Sequence, residues 1–355
     1  MKRLALLTEI PAPYRIPLFN ALADRLDLTV LFLRERNPDR PYQLHDDEFL
    51  FAWRILRGRD VSLAGRWIVL STGVRRALRE TRPDVVLLGG WNQPAFLGAL
   101  GWARLRRIPV LLWVESTGRD SRSHRLDALK RGLLRIVDGC VVPGSASHAH
   151  LRSLGVPGDR ITVAPNSVDA KLFGGEDGRR PEGERCRVLG VGRLAYEKGF
   201  DVLLEAARDL PVEVVIAGSG PEERRLRALG GPNVRFVGQL DRDELPSLYA
   251  EADVLAAPSR SDPWGMALNE AALAGLPLVA TDAVGAAHDL IEDGVNGFRV
   301  PVDDGGAVRS ALQRLCDDEA FRTAAGARSR ELAARFTPEA WADAVAGAVT
   351  KGRSR

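Results

Sequence analysis

The sequence predicts an α/β protein in which two domains each contain a parallel sheet. The chain has 355 residues, 45% of them apolar, which is enough to form two ordinary hydrophobic cores. Short apolar runs alternate with helical patterns from end to end, as expected for βαβ units. The alternation stops in residues 171–187, which are rich in Gly, Glu and Arg. We interpret this segment as an interdomain linker.

The first predicted domain, residues 1–170, contains six apolar runs that indicate strands. They are residues 4–8, 28–33, 85–88, 110–115, 139–142 and 161–163. Three of these strands end in residues suited to a site, namely Glu9, the pair Gly89 and Gly90, and Glu115. Because parallel strands place their carboxyl ends on one edge of a sheet, these residues are expected to lie along a common cleft.

The second predicted domain, residues 188–335, repeats the pattern. Its strands are residues 188–191, 212–217, 234–237, 254–257, 278–280 and 298–300. A last helix follows in the segment 336–355, with Thr337 as its cap and Pro338 at its first position.

A glycine and two cations follow the first strand of the second domain. Gly192, Arg193 and Lys198 fall where open α/β sheets bind phosphates. Arg presents a planar fork to two phosphate oxygens, whereas Lys supplies a compact charge. The chain has 45 Arg and only 5 Lys, so a Lys at this position departs from its composition. The alternative is a solvated surface pair at a helix start.

A second motif runs from Asp262 to Glu270 and contains the start of a helix near Gly265. The first amides of a helix lack intrahelical acceptors and attract anions. Gly265 also allows a ligand to approach the backbone closely. These amides are predicted to face a phosphate, and they belong to Gly265, Met266, Ala267 and Leu268. The alternatives are a glycine that only loosens the helix start and an Asp262 that only caps it.

Two cations followed by two carboxylates describe a pocket for a diphosphate joined to a group rich in hydroxyls, which is a sugar nucleotide. The combination resembles the retaining glycosyltransferases of family 4, whose GT-B fold has two Rossmann-like domains facing each other across a cleft. The resemblance extends through the second half in the family's order. It covers the segments 218–221, 234–238, 252–254, 256–259 and 294–298. It is weaker before residues 166–169.

The resemblance implies roles for residues of the second half. Glu270 would accept hydrogen bonds from ribose hydroxyls, and Val237 would lie beside the donor. Asp262 stands where the family usually has Glu in its Glu-x7-Glu motif, at the hydroxyls of the donor sugar. This shorter side chain puts the identity of the donor in doubt more than the class of reaction. The resemblance also implies a last helix that returns to the first domain.

The first half is expected to bind the acceptor. Tyr14 and Arg15 open a helix into the cleft, and Trp91 and Asn92 lie in a loop after a strand. Glu115 occupies a strand end where the family often has His. It either polarises an acceptor hydroxyl or holds a sugar, or it only pairs with Arg119. We take the catalytic set to be Asp262, Arg193, Lys198 and Glu115.

Charge is distributed unevenly along the chain. Residues 1–170 hold 26 Lys and Arg against 17 Asp and Glu, or +9, whereas residues 171–355 hold 24 against 30, or −6. Basic residues surround a leucine stripe between residues 119 and 135, which indicates either contact with an anionic membrane or a solvated helix face. Aromatic residues do not interleave with the cations as nucleic-acid binding would require.

Several other classes of function are disfavoured. Asp241 and Asp243 resemble a metal-binding Asp-x-Asp pair but fit a helix start better, so no metal is expected. Residues 218–220 lack the remainder of a dinucleotide fingerprint, so no cofactor is expected. Three scattered cysteines without metal-ligand spacing favour a reduced cytoplasmic compartment. No apolar run is long enough to span a bilayer.

The predicted function is metal-independent, retaining transfer of a hexose-type sugar from a UDP- or GDP-linked donor. The acceptor is a hydroxyl of a glycan, a lipid-linked molecule or a small molecule, as in polysaccharide biosynthesis in bacteria. Two alternatives are a GT-B sugar-nucleotide epimerase and a subunit that binds nucleotide sugars without catalysis.

Overall fold

The computed structural model describes residues 1–36, 46–63, 66–118, 127–173 and 185–351. Within these residues the chain forms two parallel sheets flanked by helices, which confirms the predicted fold class. Most of the predicted linker and the basic residues Arg119, Arg122 and Arg125 lie outside the described residues.

The first domain is built on a sheet whose described strands are all parallel. Its order is β3-β2-β1-β6-β7-β8-β9, and β4 and β5 form a separate antiparallel hairpin. The strands are β1 Arg3–Thr8, β2 Asp27–Phe32, β3 Ala52–Ile55, β4 Gly58–Leu63, β5 Arg66–Ser71, β6 Val85–Leu88, β7 Val110–Trp113, β8 Gly139–Val142 and β9 Ile161–Val163. The helices are α1 Ile16–Ala23, α2 Val74–Thr81, α3 Pro94–Leu105, α4 Asp127–Ile136, α5 Ser145–Ser153 and α6 Ala170–Phe173.

The second domain contains a parallel sheet with the described order β12-β11-β10-β13-β14-β15. This is the Rossmann order, and its switch point lies between β10 and β13. The strands are β10 Arg187–Val191, β11 Glu213–Ala217, β12 Val234–Gly238, β13 Val254–Ala257, β14 Leu278–Thr281 and β15 Gly297–Val300. The helices are α7 Phe200–Ala207, α8 Glu223–Leu229, α9 Leu245–Ala250, α10 Met266–Leu273, α11 Ala287–Leu290, α12 Gly305–Asp317, α13 Glu319–Ala333 and α14 Pro338–Lys351.

The predicted strands match the structure within two residues at each end, but β3, β4 and β5 were not predicted. The described side chains of β4 are exposed, and those of β3 alternate between exposed and half-buried. An apolar run therefore marks neither strand. The predicted strand 110–115 was too long, because β7 ends at Trp113 and leaves Glu115 in the following loop.

Helix α14 returns from the second domain and packs on the first. Trp341 is fully buried against Phe19 and Trp113, with ring centroids 6.1 and 5.1 Å apart. Thr337 precedes the helix, and its Oγ1 accepts a hydrogen bond from the Ala340 amide at 3.1 Å. The helix begins where the hydroxyl satisfies one of its unpaired amides.

We expect Thr337→Ala to lower stability by about 1 kcal/mol, because the Ala340 amide loses its capping acceptor. The measurement is the urea midpoint followed by tryptophan fluorescence. Thr350→Ala is the control, since the Thr350 hydroxyl bonds only to the Ala346 carbonyl inside the same helix. Equal midpoints for both variants would contradict a capping role for Thr337.

Two cysteines that are distant in sequence lie together in the structure. Cys186, just before β10, and Cys316, near the end of α12, form a disulfide with Cα atoms 5.5 Å apart. Their separation of 130 residues gave no sign of this pairing. Cys140 is buried, and burial raises the pKa of its thiol to about 12. Scattered cysteine spacing is therefore a poor argument for a reducing compartment in this chain.

Candidate active site

The loops after β10 and β11 are packed together at the switch point of the second sheet. The Gly192 amide donates to the Ala217 carbonyl at 3.0 Å. Gly218 has φ +139, and a Cβ there would lie 1.9 Å from the Gly192 oxygen. Only glycine permits this approach. The close packing fixes the Gly192 loop, from which Arg193 and Lys198 extend.

Lys198 lies at the end of a short 3-10 turn and reaches across the switch point. Gly199, at φ +63, follows it, and a Cβ at Gly199 would lie 2.1 Å from the Pro258 carbonyl oxygen. The loop after β10 thus contacts the loop after β13. Lys198 Nζ donates to Asp262 Oδ2 at 2.7 Å. The Asp262 side chain therefore binds Lys198, which the helix-cap interpretation did not anticipate.

Arg193 pairs with Glu197 four residues later. Its Nη2 donates to Glu197 Oε1, and the side chain remains 45% exposed. Burial alone would raise the pKa of Glu197, but the Arg193 hydrogen bond, a backbone hydrogen bond and the charges of Arg193 and Lys198 together outweigh it, and the pKa lies below its usual value. A guanidinium has five N–H donors, so this contact leaves others for a ligand. Each predicted phosphate-binding cation thus has a carboxylate partner.

Helix α10 begins immediately after Gly265, which has φ +93. A Cβ at Gly265 would lie 2.5 Å from Val284 Cγ1 and 3.6 Å from Asp262 Oδ2. The amides of Gly265, Met266 and Ala267 lie at the helix start, where no preceding turn supplies acceptors. The Leu268 amide instead donates to the Gly265 carbonyl at 2.9 Å. The Leu268 amide is therefore not free, contrary to the prediction, and the binding of an anion by the first three amides stays a prediction.

Glu270 lies one turn into α10 and is held by Tyr249 of α9. The Tyr249 hydroxyl donates to Glu270 Oε2 at 2.5 Å. Burial raises the pKa of Glu270, while the Tyr249 bond and the charge of Lys198 act in the opposite direction. Burial also holds the pKa of Tyr249 well above its usual value, so the hydroxyl stays a donor. Sequence reasoning missed Tyr249, because its spacing in the sequence indicates only a buried apolar position of a helix.

Arg260, in the loop after β13, links this loop to the segment after β10, and sequence reasoning did not identify it either. Its Nη1 and Nη2 donate to the two carboxylate oxygens of Asp201 at 2.9 and 3.0 Å. Nη1 also donates to the Tyr196 carbonyl at 2.9 Å. Burial raises the pKa of Asp201, but the hydrogen bonds and charges of Arg260 and Arg225 together outweigh this effect and the pKa is lowered. A lone Arg in a Ser-rich loop gave no sign of this role.

The first-domain candidates lie on two neighbouring parts of its sheet edge. Arg15 donates to Glu115 Oε1 at 3.0 Å and to Thr8 Oγ1 at 3.0 Å, and its guanidinium lies over the rings of Tyr14 and Trp113. Glu115 is thus half-buried and paired with Arg15. The proposed alternative partner, Arg119, lies outside the described residues.

The loop after β6 holds the remaining acceptor-side candidates. Trp91 is half-buried with Lys130 Nζ 5.9 Å from its ring centroid, and Asn92 is exposed. Gln93, the next residue of this loop, is buried and hydrogen-bonds the backbone of Trp67 and Val69. It therefore anchors the β4–β5 hairpin. In the second domain, Val237 lies half-buried in β12 and packs on the core.

Comparison with known proteins fits this arrangement. The family described as Glycosyl transferases group 1 matches residues 178–332, and the Glycosyl transferase 4-like domain matches residues 12–167. The glycogen synthase of Mycobacterium tuberculosis (strain CDC 1551 / Oshkosh) is 30% identical over 323 residues, covering 84% of this chain and 74% of that protein. The chain belongs to the GT-B glycosyltransferases of family 4.

Other relatives of this glycosyltransferase have different named substrates. A GDP-mannose-dependent alpha-mannosyltransferase of Corynebacterium glutamicum is 31% identical over 250 residues, or 65% of this chain and 58% of that protein. The structure of Anabaena HepE in complex with UDP and glucose has a TM-score of 0.79 at 18% identity, covering 99% of this chain and 100% of the other. Neither the epimerase nor the non-catalytic alternative is favoured by these relatives.

The described part of the glycosyltransferase shows neither a metal-binding cluster nor a membrane-spanning helix. Within it, no group of three or more His, Cys, Asp or Glu side chains is arranged to hold a metal ion. None of its described helices combines the length and apolar character needed to cross a bilayer. The described contacts include no capping bond to the Asp241 side chain; its carbonyl accepts from the Glu244 amide at 3.1 Å, its amide donates to Glu244 Oε2 at 2.9 Å, and α9 begins at Leu245.

Proposed function

We propose that this glycosyltransferase transfers a hexose from a nucleotide diphosphate to an acceptor hydroxyl, with retention and without a metal. The observation that carries the proposal is the position of the Lys198–Asp262 pair directly before the amino end of α10. The Lys198 ammonium, the Asp262 carboxylate and the first amides of α10 thus lie close together. This combination suits a diphosphate bonded to a sugar.

The leaving group accounts for the cations. A nucleoside diphosphate gains negative charge as its bond to the sugar breaks, and fixed positive charge stabilises that transition state. Lys198 would exchange its contact with Asp262 for a phosphate oxygen, and Arg193 would use donors not engaged by Glu197. The amide end of α10 adds the favourable helix dipole. These groups together supply what a metal ion supplies in other transferases.

The donor's hydroxyls account for the carboxylates. Once Lys198 contacts phosphate, Asp262 is released to accept from hydroxyls of the sugar, and Glu270 accepts from the ribose. Both UDP and GDP remain candidates for the nucleotide. HepE structures contain UDP and UDP-glucose, whereas the mannosyltransferase relative is named for GDP-mannose.

For the reaction we adopt the front-face mechanism proposed for the family that the sequence resembles. The bond between the anomeric carbon and the phosphate oxygen breaks, and a bond to the acceptor oxygen forms on the same face. The acceptor's proton passes to the departing phosphate oxygen. Glu115 and Arg15 would position the acceptor, with Tyr14, Trp91 and Asn92 nearby in the first domain. The acceptor class comprises glycans, lipid-linked molecules and small molecules.

Membrane contact and a cytoplasmic location stay predictions. Helix α4 exposes Leu129 (72%) and Ile136 beside the exposed Arg131 and Arg135. Apolar side chains among cations suit the interface of an anionic bilayer. The same pattern is also typical of a solvated amphipathic helix.

The test is product analysis with UDP-glucose and GDP-mannose, a panel of hydroxyl acceptors and an excess of EDTA. We expect a glycoside whose anomeric coupling in the NMR spectrum matches that of the donor, at a rate unchanged by EDTA. An inverted product would contradict retention, and loss of activity in EDTA would contradict metal independence. Conversion of the sugar nucleotide without acceptor, to an epimer, would contradict transfer itself.

A further inference from the structure

A buried chain of hydrogen bonds crosses from the second domain to the first. Trp264 Nε1 donates to Asn269 Oδ1 at 2.7 Å, and Asn269 Nδ2 donates to the Asn166 carbonyl at 3.1 Å. Asn166 Nδ2 then donates to Glu115 Oε1 at 3.3 Å. Trp264, Asn166 and Asn269 are each at most 4% exposed. These hydrogen bonds between the two domains are therefore direct and largely shielded from solvent.

Asn269 is the central residue of this series of hydrogen bonds, and its side-chain amide can adopt only one orientation. An indole N–H only donates and a backbone carbonyl only accepts. The Asn269 amide must therefore direct its oxygen to Trp264 and its nitrogen to Asn166. A buried polar group held by two such partners is costly to alter, because any change leaves one partner unsatisfied.

This series of hydrogen bonds connects candidate site residues of the two domains. At one end, Trp264 immediately precedes Gly265, whose amide is the first of those predicted to bind an anion, and Asn269 is adjacent to Glu270. At the other end, Glu115 also accepts from Arg15 on the acceptor side. One buried amide thus connects the helix assigned to the donor with the carboxylate assigned to the acceptor.

A second contact brings the domains together at the same place. The Ser145 amide, at the start of α5, donates to Asp289 Oδ2 at 3.0 Å. A Cβ at Gly144 would lie 2.6 Å from Trp264 Cζ3 and 2.3 Å from Asp289 Oδ2. Gly144 has extended backbone, with φ −174, so the demand for glycine is purely steric. The backbone of the first domain therefore packs against Trp264 at a distance that leaves no room for a side chain at Gly144.

From these contacts we infer that Asn269 is a positioning residue for glycosyl transfer, which sets the distance between donor-side α10 and acceptor-side Glu115. The inference rests on the proposed function. Asn269 contacts neither reacting group in this arrangement; it acts through Asn166 on one side and Trp264 on the other. Its loss should therefore affect the transfer step rather than the affinity for nucleotide.

The deciding variant is Asn269→Asp, which preserves shape but replaces the N–H donor by an oxygen facing the Asn166 carbonyl. We expect kcat for transfer to fall at least tenfold, while the dissociation constant for UDP or GDP stays within about threefold of wild type. Affinity is retained because Arg193, Lys198 and Glu270 are unchanged. Rates are expressed per folded molecule, from the native fraction measured by near-UV circular dichroism.

A matched control separates positioning from stability. Asn296→Asp alters another fully buried amide, which donates to the Leu290 carbonyl at 2.8 Å within the second domain. It should lower the melting temperature while kcat per folded molecule stays at the wild-type value. If Asn269→Asp also retains wild-type kcat per folded molecule, or if both variants lose kcat equally, the inference is overturned.

A steric variant tests the same interface without touching the amide. Gly144→Ala should lower kcat at least threefold and shift the interdomain distance, measured by energy transfer between dyes on α4 and α12. Gly98→Ala is its control, since a Cβ there meets nothing within 4 Å. Unchanged kcat and distance in Gly144→Ala would count against the inference. Should the wild-type enzyme neither bind nor use nucleotide sugars, the proposed function fails first and separately.

Discussion

Lys198→Gln is expected to lower kcat about 100- to 1,000-fold, the usual effect of removing one group that stabilises transition-state charge. The ammonium is placed 2.7 Å from Asp262 and faces the amide end of α10, where the departing phosphate gains charge. Glutamine keeps much of the side-chain length and a hydrogen-bond donor but removes the charge. The donor KM should change much less than kcat, because charge matters most when the bond breaks.

The control for this variant is Lys171→Gln, which removes an exposed lysine from α6. It should leave kcat and KM at wild-type values. The account of leaving-group stabilisation would be wrong if Lys198→Gln raised only KM, or if both lysine variants behaved alike. Initial rates over a range of donor concentrations at saturating acceptor separate these outcomes.

Glu270→Gln is expected to weaken nucleotide binding roughly 10- to 100-fold, because a carboxylate that accepts from ribose is replaced by a weaker neutral acceptor. The same change should raise the stability of the nucleotide-free protein at pH 8. Burial raises the folded-state pKa of Glu270 above its unfolded value, so the ionised group costs stability above the folded pKa. This gain should shrink as pH falls through the folded pKa.

Glu213→Gln provides a control of opposite sign. Burial raises the pKa of Glu213, but bonds from Arg187 and Arg235 outweigh it and the pKa lies below its usual value. The ionised Glu213 therefore contributes stability above the unfolded pKa, and this contribution disappears as pH falls through the folded pKa. Its substitution should lower the melting temperature at pH 8. A loss of stability in Glu270→Gln at pH 8 would contradict the account in which burial of the ionised Glu270 carboxylate lowers the stability of the nucleotide-free protein.

Features that depend on residues adjacent in the sequence could be predicted from the sequence alone. Apolar runs predicted the buried strands, and the switch-point loops follow those strands directly, so Lys198 and the start of α10 could be located. The start of α10 directly after Gly265 was predicted correctly, whereas the role of Gly265 toward a ligand stays a prediction. The exposed strand β4 left no apolar run, and the hairpin was missed although its other strand, β5, contains the apolar run 67–70.

Partners that meet only through tertiary folding could not be predicted. Tyr249 is 21 residues before Glu270, and Arg260 reaches Asp201 from another loop. Asn269 looked like an ordinary polar residue between Leu268 and Glu270, because its partner lies in the other domain. The Cys186–Cys316 disulfide was hidden for the same reason, because Cys186 lies just before β10 and Cys316 lies near the end of α12.

Calorimetric titration of UDP, GDP, UMP and GMP tests the diphosphate site most directly. The first amides of α10, together with Arg193 and Lys198, should distinguish a diphosphate from a monophosphate by its additional charge. We predict that the preferred diphosphate binds at least tenfold more tightly than its own monophosphate, and that Lys198→Gln removes most of this difference. Equal affinities for diphosphate and monophosphate in the wild-type protein would contradict the assignment.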